Sequence, residues 1–182
     1  MPRKLASLAL LCLLAIVVAA PAARAASAGE IEAGVNATLD RFYRNIGGAR
    51  ELAQKAVGVL VFPSVVKAGF GIGGEYGEGA LRIRGRTVDY YNMVSASIGF
   101  QLGVQERSVI IMFMTPQALD QFQRTAGWKI GADASVAIIT LGVGGSIHTN
   151  KITSPVVGFV LAPHGLMYNL TLEGCQIQPH NR

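Results

Sequence analysis

Apolar residues recur every three or four positions near the start of the sequence that follows residue 25. Ile31, Val35, Leu39, Phe42 and Ile46 fall on one face of a helix. Ser27 and Glu30 have capping-box spacing, so each side chain can satisfy a backbone N–H of the other. Gly47-Gly48 breaks this helix, and Ala49 to Ala56 predicts a second, shorter one. From Val57 the pattern turns β-prone. Val57 to Phe62 reads as a strand stopped by Pro63. Gly69 to Gly79 is glycine at six of 11 positions and reads as bends or close strand packing.

Leu81 to Arg84 and Thr87 to Tyr91 predict strands around Gly85, followed by Ser95 to Gln105 and Val109 to Met114. Thr115-Pro116 predicts a helix start, because the hydroxyl can cap and proline suits the first turn. Gly127 ends that helix. Trp128 to Ile130, Ala134 to Leu141, Val156 to Leu161 and Leu166 to Leu172 read as further strands, with turns at Gly144-Gly145, Asn150-Lys151 and His164-Gly165. The sum is an α+β fold: N-terminal helices packed on a mainly antiparallel, glycine-rich sheet or partly closed barrel. A mixed α/β sheet is the alternative, but too few helices separate the strands for a doubly wound fold.

The first residues differ from the rest. Arg3 and Lys4 precede 16 uncharged, mostly apolar residues from Leu5 to Ala20, and Ala23-Arg24-Ala25 places small residues two apart. This predicts a secretory signal peptide over residues 1–25, removed after Ala25, and a domain over 26–182. The apolar run is short for a membrane anchor, which needs about 20 residues. Losing the three cations Arg3, Lys4 and Arg24 lowers the formal charge from +5 to +2. That excludes a strong phosphate footprint, so no nucleic-acid partner is expected. Cys12 leaves with the leader. Cys175 then has no partner for an intramolecular disulfide and reads as a structural thiol.

Candidate chemistry is sparse. Gly69, Gly71 and Gly74 satisfy G-x-G-x-x-G, and Asp89 follows 20 residues after Gly69. A dinucleotide site needs those glycines to open a helix facing the pyrophosphate, whereas β-prone residues follow here. His148, His164 and His180 make no metal-ligand spacing, and no cysteine pair joins them, so neither a metal nor another cofactor is expected. Glu75 and Glu78 offer two carboxylates without a sign of a desolvated pocket. No enzyme is expected. Arg82, Arg84 and Arg86 alternate, which places them on one face of an extended strand, and Lys67 can lie near across the glycine bends. These four are the candidate lipid-binding residues: several charge-assisted contacts there could hold phosphate or acidic headgroups. Tyr76, Tyr90 and Tyr91 could add interfacial contacts, or fill half-buried sheet positions.

Several stretches resemble the SYLF domain, the Ysc84-type actin- and lipid-binding domain. They are GVLVFPSVVKAGFGIGGEYGEGAL (Gly58 to Leu81), TVDYYNMVSASIGFQLG (Thr87 to Gly103), MFMTPQALDQF (Met112 to Phe122), GWKIGADASVA (Gly127 to Ala137) and PVVGFVLAPHGLMYNLTLEG (Pro155 to Gly174). The chain looks like a bacterial, exported, single-domain member. The resemblance implies non-enzymatic binding of anionic phospholipid or a membrane surface in the cell envelope. The expected location is the periplasm, membrane-associated, with secretion or the cell surface as variants. A scaffold or surface protein that binds another protein is the alternative.

Overall fold

The computed structural model describes residues 25–139, 146–162, 165–166, 172 and 174–180. The leader, the Gly144-Gly145 turn, His164 and most of the strand expected over 166–172 lie outside them.

Helix α1 (Ala28–Asn45) starts as its sequence predicts. The Ser27 hydroxyl accepts from Glu30 N at 3.3 Å, and the Glu30 carboxylate accepts from Ser27 N at 2.5 Å. Gly48, at φ 78°, supplies the left-handed residue that turns the chain into α2 (Ala49–Lys55). Two long strands follow, β1 (Gly58–Ile83) and β2 (Arg86–Phe113), joined by the two-residue turn Arg84-Gly85. Both turn residues have positive φ, 53° and 76°, the geometry of a tight hairpin whose twist matches its strands.

Pro63 does not end a strand, contrary to the sequence expectation. The pairing register shifts between Phe62 and Val65, and Pro63 sits in that irregularity, where its missing N–H costs no ladder bond. Its carbonyl accepts from the Ser108 hydroxyl. The glycine-rich segment is also strand throughout, with a second register shift between Gly69 and Gly71. Likewise, the two strands expected over 95–105 and 109–114 are one.

At that second shift the ribbon folds back on itself. A Cβ on Gly77 would lie 2.8 Å from the Ser64 carbonyl oxygen, and one on Gly79 would lie 2.3 Å from that of Val61. The two halves of β1 therefore meet backbone against backbone, and only glycine fits.

Helix α3 (Pro116–Arg124) begins at Thr115, whose hydroxyl accepts from Ala118 N at 3.3 Å. Short strands β3 (Trp128–Lys129), β4 (Ala137–Ile138), β5 (Val156–Ala162), β6 (Gly165–Leu166) and β7 (Gln176–Pro179) complete the sheet, and a 3-10 turn spans Thr149–Lys151. The order is β3-β7-β2-β5-β4, with β1 on β2 and β6 on β5. Among the described strand pairs, β4–β5 alone is parallel. Opposite its β1 edge, β2 carries β7 along Tyr91–Val94 and β5 along Ser108–Phe113. The fold is α+β, a sheet curled into a half-barrel.

Both faces of the sheet are covered, which explains the unbroken apolar run Val109–Phe113. Val109, Ile111 and Phe113 point to a core shared with Leu60, Phe62, Leu119, Phe122 and Trp128. Ile110 and Met112 point the other way, against Phe42, Leu52 and Phe159. Phe122 and Trp128 meet edge to face with centroids 5.2 Å apart, and Phe42 lies 4.7 Å from Phe159.

Candidate functional site: an arginine cleft at the hairpin tip

The four cations singled out in the sequence do not form one stripe. Arg84 lies in the hairpin turn, so the extended-strand face that would align Arg82, Arg84 and Arg86 is interrupted there. Arg82 is turned toward α1. Its guanidinium donates to Glu32 Oε2 at 2.6 Å and to Asn36 Oδ1 at 2.8 Å, leaving its side chain 14% exposed. Burial raises the Glu32 carboxyl pKa, but Thr87 and Arg82 lower it more, so the group is held below its ordinary range. Arg84 and Arg86 are exposed and make no ion pair among the described residues.

Lys67 lies elsewhere, at the fold in the ribbon. Its Nζ is 3.4 Å from Glu75 Oε1, and Arg107 donates to the other carboxylate oxygen. Glu75 and Arg107 have side chains only 6% and 7% exposed, so this is a buried ion pair with Lys67 at its edge. From Glu75 to Arg82 the strand advances seven residues, roughly 23 Å at about 3.3 Å per residue. Lys67 and the tip arginines therefore serve different places.

A cleft of about 850 Å³ opens beside the tip, between α1, α2, the hairpin and α3. Arg50, Lys55, Arg82 and Arg84 line it, against Asp40 and Asp120. Lys55 is bonded to Glu51 and Thr149, at 2.8 and 2.9 Å. The exposed Arg50 guanidinium stands 4.8 Å above the Tyr43 ring, held by cation–π attraction. Arg50 and Arg84 are thus the exposed cations of the cleft that make no ion pair among the described residues, whereas the exposed Lys55 is paired with Glu51; Arg86 is the neighbour of Arg84 across the turn, and Arg82 fixes the hairpin to α1. Sequence reasoning missed Arg50. It lies 32 positions before Arg82, and no linear pattern connects them.

A second hollow, of about 920 Å³, lies between the start of α1 and β1. Ile31, Pro63, Val66 and Tyr76 give it apolar walls, while Glu30, Glu75 and Glu78 line it with carboxylates. Val66 and Tyr76 are 39% and 47% exposed. Its acidic lining opposes an anionic headgroup.

The remaining candidates resolve simply. Gly69, Gly71 and Gly74 are strand residues with no helix behind them, so the phosphate cradle of a dinucleotide site is not formed. No cluster of three His, Cys, Asp or Glu side chains able to hold a metal occurs among the described residues. Cys175 is 2% exposed, and burial followed by the Glu75 charge pushes its thiol pKa up. Tyr91 is buried against Phe122, whereas Tyr76 is exposed and Tyr90 reaches Glu32 at 3.3 Å. No helix among the described residues is long and apolar enough to cross a membrane.

Arg50, Arg82 and Arg84 thus give the cleft between the helices and the hairpin a basic lining beside Asp40 and Asp120. The Ysc84 family model, described as Las17-binding protein actin regulator, matches residues 94–182, so this stretch is similar to the Ysc84, or SYLF, family. The matched stretch begins inside β2, so its β1 partner lies ahead of it. No curated protein matches the chain.

Proposed function

We propose that the domain binds anionic phospholipid at a membrane surface of the cell envelope, after export and without catalysis, through the cleft at the hairpin tip. The observation that carries this reading is that Arg50 of α2 and Arg84 of the hairpin turn line one cleft, with Arg86 beside Arg84 and Arg82 anchoring the hairpin to α1. Guanidinium groups present planar N–H forks that match phosphate oxygens. Lys67 contributes to the fold of the ribbon and not to this contact.

Vesicle flotation tests it. Binding should rise with the fraction of anionic lipid and fall with salt. Arg50→Glu with Arg84→Glu should abolish flotation, while reversal of the distant, exposed Lys129 should leave most of it. Equal loss from Lys129→Glu, or undiminished binding by the arginine variant, would sink the assignment.

The family description, which names a protein partner, favours a second reading: the same exposed arginines bind an acidic protein surface. A protein captured after lipid extraction, and lost in the arginine variant, would support it over the first.

A further inference from the structure

The residue that follows the expected leader cleavage point is already docked. Ala26 N lies 2.9 Å from Glu78 Oε2, and the Glu78 side chain is only 8% exposed. Ala26 packs against the core beneath α1, and the next residue, Ser27, is fixed by both bonds of its capping box. The nitrogen is therefore held in place from two sides.

We propose that removal of the leader creates an α-ammonium at Ala26 that pairs with Glu78 and locks the mature N-terminus onto β1. This rests on the leader reading and is independent of the lipid reading. A leader-removing endopeptidase hydrolyses the Ala25–Ala26 peptide bond. The water oxygen goes to the Ala25 carbonyl carbon, and the Ala26 nitrogen leaves as an amine that takes up a proton. The same nitrogen that donated one neutral hydrogen bond then carries a full charge and three protons, facing a desolvated carboxylate. Charge-assisted bonds are roughly twice as strong as neutral ones. A cation at the start of a helix is ordinarily unfavourable, because the N-terminus carries the positive end of the macrodipole. Here Glu78 and Glu30 offset that cost from β1 and from the first turn. The groups facing Glu78 also include the Tyr76 hydroxyl at 2.9 Å and His180 Nε2 at 3.9 Å. Cleavage also removes Ala25 from the rim of the apolar hollow.

The test uses the full chain, expressed in an exporting bacterium and purified after processing. Intact mass should place the first residue at Ala26; a different start overturns the proposal. A variant with one glycine inserted after Ala25 moves the ammonium about 3.8 Å along the chain. Its melting temperature should fall by roughly 4 °C or more. Glu78→Gln should fall similarly, and combining the two should add little. A paired α-amine has a raised pKa, so its stabilisation is complete below the ordinary range of about 7.7–8.0 and is lost as pH rises through the raised value. Unchanged melting of the glycine variant, additive losses, or a gap that persists at high pH would overturn the ion pair. The glycine variant alone decides the matter if Glu78→Gln does not fold.

Discussion

Gly79 and Val61 belong to the same strand, yet a Cβ on Gly79 would stand 2.3 Å from the Val61 carbonyl oxygen. The approach is backbone to backbone, so no flexible side chain can give way. Gly79→Ala should cost about 3 kcal/mol, the upper part of the range for overpacking. Gly29 is the opposite case: it lies in α1 with nothing within 4 Å of its Cβ position. Gly29→Ala should stabilise by roughly 0.5–1 kcal/mol, because alanine favours helix. Urea unfolding of both variants reads out the two signs.

The buried Glu75–Arg107 pair predicts an asymmetric cycle. Glu75→Gln leaves Arg107 and Lys67 facing each other without their shared carboxylate, and should cost about 3–5 kcal/mol. Glu75→Gln with Arg107→Met removes the stranded charge and should be no less stable than Glu75→Gln alone. Additive losses in chemical denaturation would show that the pair does not act as a unit.

Burial, reinforced by the Asp89 charge, pushes the Tyr91 phenol up to about 12. Its folded pKa exceeds the ordinary 10.0, so the neutral form is favoured by folding. The resulting stabilisation is complete below pH 10 and disappears as pH rises through about 12. An ultraviolet titration should show Tyr91 ionising last or with unfolding, and Tyr91→Phe should flatten this part of the stability profile.

Cys175 should behave as a core side chain. At 2% exposure and with its thiol pKa raised by burial, it should react with iodoacetamide only when the domain opens. Labelling that keeps pace with free cysteine in native protein at pH 8 would contradict that placement.

Local signals read cleanly in the sequence. The Ser27–Glu30 box, the Gly48 break, the Gly85 turn and the Thr115-Pro116 start each act within a few residues. Pro63 misled because its effect depends on its partner strand: a register shift removes the hydrogen bond that proline cannot make. Strand β7 was missed because its alternation, Gln-Ile-Gln-Pro, is only four residues long. The α+β class survived these errors because the apolar faces of α1 and β2 are strongly patterned. The site was only partly legible. The exposed tip arginines could be named, but Arg82's engagement with Glu32, Lys67's with Glu75 and Arg50's place in the cleft are tertiary facts.

The β1–β2 ribbon also sets a route for folding. Its paired residues are 3 positions apart at Ile83–Arg86 and 55 apart at Gly58–Phe113. Starting from the Arg84-Gly85 turn, each new pair encloses only a few more residues. The loop-closure entropy is met in small steps, and the longest pairing of the domain can form by zippering instead of by a single long-range encounter. The turn that presents the arginines is, by the same geometry, where the chain can begin to close.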